Sequence, residues 1–148
     1  MDRGDRGDRG YIAANRAATE RLRALTQRLS DDELERTFDF GWSVAVALAH
    51  IAFFDRRTAR LAERWQRDGY SPSPYDADTI NDAMLPAWRL IPPRLAAKEA
   101  IAAASEADEA VANLPDDLLA TIREKGGIKT DRSEHRNNHL NEIEALFA

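Results

Sequence analysis

An unbroken helical pattern runs from Ser43 to Arg67 or Asp68 and stops at Gly69, with Val46, His50, Phe53, Phe54 and Leu61 on one side. A helix of that length with an apolar side needs other elements to cover it. The rest of the chain supplies helices. Ile12, Ala18, Leu22, Leu25 and Leu29 recur at helical spacing over Tyr11 to Leu29, and Ile80, Met84 and Trp88 do so over Thr79 to Leu90. A further helical stretch continues from Pro93 to Asn113, and Asp131 to Phe147 carries His135, His139, Ile143 and Leu146 along one stripe. No segment alternates with period two or is enriched in β-branched residues, and no internal repeat of about 20 to 50 residues is visible. With 148 residues, 43% of them apolar, the chain fits one domain. The expected fold is all-α, a four-helix bundle over residues 11–148 with short extra helical segments.

The punctuation between these helices is specific. Ser30-Asp31-Asp32-Glu33 is a capping box and predicts a short helical turn through Arg36. Gly69 to Asp78 holds Pro72 and Pro74 and reads as an ordered loop near one end of the bundle. Pro92 and Pro93 predict a kink or stop, with Pro93 suited to the first turn of the next helix. Pro115-Asp116-Asp117 opens a short helix closed at Gly126-Gly127. Residues 1–10 repeat Asp-Arg-Gly three times and are expected to form a disordered or frayed tail, the alternative being a recognition segment.

Composition removes several function classes. A net charge of −5 gives no basic footprint for a phosphate backbone, so no nucleic-acid partner is expected. Zero cysteines exclude a disulfide framework, a thiolate metal site and a cysteine nucleophile, and they fit a cytoplasmic location. The longest nearly uncharged apolar run, Val44 to Phe54, is about half of what a membrane span needs, and the N-terminus lacks a signal peptide's apolar stretch. No membrane partner is expected.

Any metal must therefore be held by His, Asp or Glu. Of the three histidines, His135 and His139 are four apart, which stacks them on one helix face about 6 Å apart along the axis and suits two ligands of one ion. His50 lies in the apolar stretch Val46 to Phe54, where an unpaired imidazole is costly to desolvate and needs a partner inside the bundle. Spacing alone leaves open a metal ligand or a core histidine bonded to a backbone carbonyl or water.

Gly41-Trp42-Ser43-Val44, followed by Leu48-Ala49-His50-Ile51-Ala52-Phe53-Phe54-Asp55, resembles the signature of the DinB/YfiT-like superfamily. His135-Arg136-Asn137-Asn138-His139 resembles its second half. The resemblance spans Tyr11 to Ala148 and implies a four-helix bundle in which His50, His135 and His139 bind one divalent metal. Asp78-Thr79-Ile80-Asn81 and Leu85-Pro86-Ala87-Trp88 resemble a bacterial subgroup, the maleylpyruvate-isomerase N-terminal-like proteins. Two departures stand beside this. Val46 occupies a position that the family often fills with an acidic residue, and the chain ends just after the last helix, whereas the mycothiol-dependent isomerases carry a further C-terminal domain.

Three neutral imidazoles leave a divalent ion open positions for water, thiolate or a substrate oxygen, with zinc or nickel the expected metal. Such an ion lowers the pKa of bound water to about 7, or holds a low-molecular-weight thiol as thiolate. With no cysteine in the chain, that thiol comes from outside. The expected function is a metal-dependent enzyme with S-transferase-like chemistry on a small electrophile. Metal-dependent hydrolysis at the same site, or a non-catalytic ligand-binding or structural bundle, are the alternatives.

Asp131 and Glu142 can face the side of the last helix that carries the two histidines and are candidates for acid or base, against a solvated or helix-stabilising role. Tyr75 and Asn81, with Tyr70, sit in or beside the proline-bearing loop and could rim a substrate or cofactor site, or merely pack and cap. Trp42, Trp65 and Trp88, with Phe53 and Phe54, read as core, Trp42 stapling the start of the long helix. Arg56-Arg57-Thr58-Ala59-Arg60 reads as a solvated face or, alternatively, an anion site. A preference for arginine, with lysine only at Lys98, Lys125 and Lys129, suggests a GC-rich bacterial genome. A homodimer and a small-molecule substrate are the expected partners.

Overall fold

A computed structural model describes residues 9–148. The expected Asp-Arg-Gly tail lies outside the described residues except for Arg9 and Gly10, and Arg9 donates to the Leu114 carbonyl at 2.9 Å. The helices are α1 (Tyr11–Arg28), α2 (Asp31–Leu34), α3 (Val44–Asp68), α4 (Ala77–Trp88), α5 (Pro93–Ala112), α6 (Asp116–Lys125) and α7 (Ser133–Leu146), and no strand occurs among the described residues. The fold is the all-α bundle expected. α1, α3, α5 and α7 pack side by side, with α4 against α3.

Local chemistry sets the ends. The Ser30 capping box is formed in full, with its hydroxyl accepting from Glu33 N–H and the Glu33 carboxylate accepting from Ser30 N–H. Ser43 Oγ accepts from Val46 N–H at the start of α3, and Gly69 ends it at φ 87°. α4 starts at Ala77, two residues before the expected Thr79, because Asp76 caps it by accepting from Asp78 N–H and Thr79 Oγ1. It ends at Trp88 despite the apolar Leu90 beyond, and Pro93 opens α5 in its first turn. Arg94 of α5 reaches back to the Thr26 and Leu29 carbonyls, satisfying acceptors exposed where α1 ends.

The closest pairing, α3 with α5, rests on small side chains. Ala96, Ala100, Ala103, Ala104 and Ala107 of α5 are completely buried, and α3 offers Ala45, Ala49, Ala52, Ala59 and Ala62, all buried too. Apolar packing falls into two clusters. One runs from Leu22, Leu48 and Ile51 to Leu140 and Ile143, and the other gathers round Trp65, Val111 and Ile122.

Along α1, α3, α5 and α7 the residues between these clusters are polar and buried: Asn15, Thr19, Asp55, Thr58, Asp108 and Arg136. The core is therefore split by a polar layer. α7 contributes only Leu140 and Ile143 as buried apolar residues, so its docking depends on that layer to a degree unusual for a bundle helix.

Candidate metal centre

α3 brings His50 and α7 brings His135 and His139 to one point, as the resemblance implies and as the i, i+4 spacing implies for the last two. Nε2 of His135 lies 3.0 Å from Nε2 of His50 and 3.2 Å from Nε2 of His139. Two nitrogens each about 2.1 Å from one ion are about 3.0 Å apart at a right angle and about 3.4 Å apart at a tetrahedral angle. Both separations fall in that range, and all three donors lie within 4.8 Å of one another, a grouping of the size that can hold a single ion.

Two of the three rings are oriented from behind. His50 Nδ1–H donates to Asn81 Oδ1 at 3.0 Å, and His139 Nδ1 lies 3.2 Å from Glu142 Oε1. With the proton held on Nδ1, each Nε2 lone pair points to the shared centre. His135 differs, because its Nδ1 sits 3.1 Å from Nη2 of Arg132, and a guanidinium can only donate. Nδ1 is therefore the acceptor, and neutral His135 carries its proton on Nε2, between the other two rings.

Burial keeps the cluster uncharged. It is the main cause that lowers His50 to about 4, with the neighbouring His139 adding to it. Burial, then the charge of Arg132, push His135 down to about 2. Burial also lowers His139, against the opposing pull of Glu142. Three neutral nitrogen donors are what a divalent ion requires. Aromatic rings close the surroundings: Trp42, Phe54 and Trp88 stand 5.2, 5.0 and 5.7 Å from the His50 ring.

Behind the histidines lies an ionic ladder. Asp55, completely buried, accepts from Arg132 Nε at 2.9 Å and from Arg136 Nε at 2.8 Å, one guanidinium on each carboxylate oxygen. Arg136 continues to the Asn15 carbonyl, Thr19 and Asp108. Asp108 Oδ1 is 2.8 Å from Arg136 without an aligned hydrogen bond, so that contact is an electrostatic pairing. Burial opposes the charge of Arg136, but Asp55 and Asp108 outweigh it and hold the guanidinium above its ordinary range. Two cations and two anions balance.

Asn81 contacts His50 directly. Tyr75 is half exposed, with Arg57 stacked 4.1 Å over its ring and Phe54 5.9 Å away. Tyr70 lies elsewhere, bonded to the Gly126 carbonyl and packed on Trp65. The Asp131 carboxylate accepts from Ser133 N–H and Oγ–H at the start of α7, while Glu142 stands behind His139. Trp42 and Trp88 are more than core, since both touch the His50 ring. Sequence reasoning did not single out Asp55, Arg132 or Arg136. The available signal was a carboxylate five residues after His50, directly at the end of the apolar run Val44 to Phe54.

An all-α bundle with a three-histidine cluster inside it, oriented by an amide and a carboxylate, defines a histidine-site helical bundle. The family model described as the DinB superfamily matches residues 14–142, and the chain belongs to that family. No curated protein and no solved structure matches the chain.

Proposed function

We propose that this protein is a divalent-metal-dependent enzyme in which His50, His135 and His139 hold zinc or nickel and the metal activates a low-molecular-weight thiol for transfer to a small electrophile. The observation that carries this reading is the convergence of three Nε2 atoms with separations of 3.0 and 3.2 Å, two of them oriented by Asn81 and Glu142. The metal, when bound, supplies a Lewis acid with open positions. The chain's own residues hold imidazole protons on Nδ1 of His50 and His139, exclude water with Trp42, Phe54 and Trp88, and place the Arg132 cation beside the centre. That cation favours an anionic ligand such as a thiolate.

The likeness of residues 78–81 and 85–88 to the maleylpyruvate-isomerase-like subgroup also supports thiol chemistry. Hydrolysis on the same centre is the rival reading, and Glu142 and Asp131 are the carboxylates that could serve it. No helix among the described residues is long and apolar enough to cross a membrane. We place the activity in the cytoplasm, where low-molecular-weight thiols stay reduced, and we propose a homodimer. Sedimentation giving only a 16.6 kDa species at high concentration would remove the dimer.

The test begins with elemental analysis of untagged protein, where about one equivalent of transition metal is expected. Loaded protein is then incubated with a panel of thiols and a reactive electrophile such as chlorodinitrobenzene. Thiol-dependent turnover that disappears in His135→Ala supports transfer. Turnover of ester or amide substrates without thiol would move the assignment to hydrolysis, and absence of both activities with a metal firmly bound would leave a structural or sequestering centre.

A further inference from the structure

A trough of about 490 Å³ lies between α3, α4 and the start of α5, and none of the three histidines lines it. Its apolar walls are Ala52 and Phe53 from α3, Met84, Ala87 and Trp88 from α4, and Ile91 just beyond, and the mutually paired Arg56 and Glu99 also line it. At one end the walls change character, because Arg57 and Arg60 line both this trough and a second hollow of about 340 Å³ that continues along α3 past Arg64 and Arg67. The apolar channel thus runs onto a row of guanidiniums spaced three and four residues apart on one helix face.

The state of those cations decides what the trough can hold. Arg56 is bound to Glu99 and Glu106, and Arg67 to Asp68. Arg60 makes only exposed contacts at 3.3 Å with Glu63 and Glu106, of the kind that contributes little and yields readily. Arg57 and Arg64 have no carboxylate partner among the described residues. Arg57 is half-buried at the junction and spends its donors on neutral acceptors, the Ser73 and Gly127 carbonyls and Ser73 Oγ. Burial pushes its guanidinium down from the ordinary range, the mark of a cation that lacks a counter-charge. An uncompensated, partly desolvated cation at the mouth of an apolar channel is complementary to one class of ligand, an apolar body ending in a single acid group.

We propose that this trough is a binding site for a free amphipathic organic acid, its apolar body between α3 and α4 and its acid group on Arg57 and Arg60. A neutral apolar ligand would bury Arg57 further with only the neutral Ser73, Gly127 and Tyr75 contacts and no counter-charge. A membrane surface is disfavoured, since the chain carries a net charge of −5 and the channel is recessed between helices. The site is separate from the histidine centre, with Trp88 standing between the trough and the His50 ring.

The probes are octanoate and 1-octanol, of equal chain length and different charge, titrated into the full chain as purified. Binding is read from the NMR signals of Ala52, Ala87 and the Trp88 indole, with the histidine ring signals followed in parallel. Octanoate should shift the trough signals saturably and bind about tenfold more tightly than octanol, as one charge-assisted contact implies. Ala87→Trp, a change at an exposed position that fills the channel, should weaken both probes about tenfold. Arg57→Gln should bring octanoate to the affinity of octanol, and Arg60→Gln should do so in part if loss of the Arg57 contacts to Ser73 and Gly127 unfolds the loop. Equal affinity of the two probes overturns the proposal, as do octanoate shifts centred on the histidines. So does a dimer whose trough admits neither probe, which would assign the channel to a second copy, or co-sedimentation with phosphatidylcholine vesicles in the absence of octanoate binding.

Discussion

Nη2 of Arg132 and Nδ1 of His135 lie 3.1 Å apart, a contact in which the arginine must donate and the histidine must accept. The proton of neutral His135 is then on Nε2, the atom a metal needs. Binding through Nε2 would move that proton to Nδ1, where it opposes a guanidinium that can only donate, so Arg132 Nη2 would have to turn aside while its Nε stays on Asp55. Arg132→Ala removes this opposition together with one of the two guanidiniums on Asp55, so its zinc affinity should fall about fivefold to tenfold less than that of Asp55→Asn, which keeps the opposing donor. Competition with a chromophoric chelator would measure both variants, and weaker binding in Arg132→Ala than in Asp55→Asn would contradict the assignment.

Asn81 and Glu142 should have the opposite effect. Each holds a proton on Nδ1 of its histidine and aims Nε2 at the centre. Asn81→Ala and Glu142→Ala should each weaken metal binding by about tenfold, within the usual range for such supporting groups. Isothermal titration with zinc would read this, and unchanged affinity in both variants would mean that packing alone orients the rings.

The same cluster makes the metal-free protein sensitive to acid. His50 is lowered to about 4 and His135 to about 2, and His139 is lowered too, all below the value near 6.5 of an unfolded histidine. Above pH 6.5 both states leave these rings neutral and stability is full. As pH falls below 6.5 the unfolded chain takes up protons that the folded chain refuses, and stability drops until the folded values are reached. For His50 alone the loss by pH 4 is on the order of 3 kcal/mol. Urea midpoints at pH 7.5, 6 and 5 should fall steadily, whereas Arg56, whose pairs are outside the cluster, leaves this range untouched.

Three of the helix limits and the His135–His139 pair were legible because capping, glycine stops and the i, i+4 rule act within a few residues, whereas only the family resemblance joined His50, 85 residues from His135, to that pair. Ser43, Gly69 and the Ser30 box need no tertiary information. The Asp55 ladder was not legible, since the partners of that carboxylate are 77 and 81 residues away and only packing decides which face of α7 meets α3. Trp42 misled for a related reason. An aromatic residue before a helix fits a staple as well as it fits a wall, and only the 5.2 Å approach to the His50 ring distinguishes them.

Gly127 offers a test of the other end of the bundle. Its φ of 102° suits only glycine, and a Cβ there would stand 2.7 Å from a ring carbon of Trp65, which is almost wholly buried. Gly41 has φ 95° with open space around it. Gly127→Ala should cost about 2–4 kcal/mol and Gly41→Ala about 1 kcal/mol, the difference being the clash. Thermal melts of the two variants would compare them directly.

Asp55→Asn tests the ladder. The variant leaves Arg132 and Arg136 buried with one carboxylate fewer, at a cost of about 3–5 kcal/mol. Its far-ultraviolet helicity should persist while zinc uptake weakens, because α7 holds two of the three ligands and little apolar surface. Loss of stability without any loss of zinc affinity would separate the ladder from the site.

One carboxylate serving two guanidiniums also constrains how this molecule can change over generations. A drift at Asp55 strands two cations at once, and a drift at either arginine leaves the carboxylate half answered in a place water does not reach. None of the three positions has a harmless single step open to it, so they form one inherited unit that can be exchanged only together. The histidines beside it inherit that rigidity, although nothing in their own chemistry demands it.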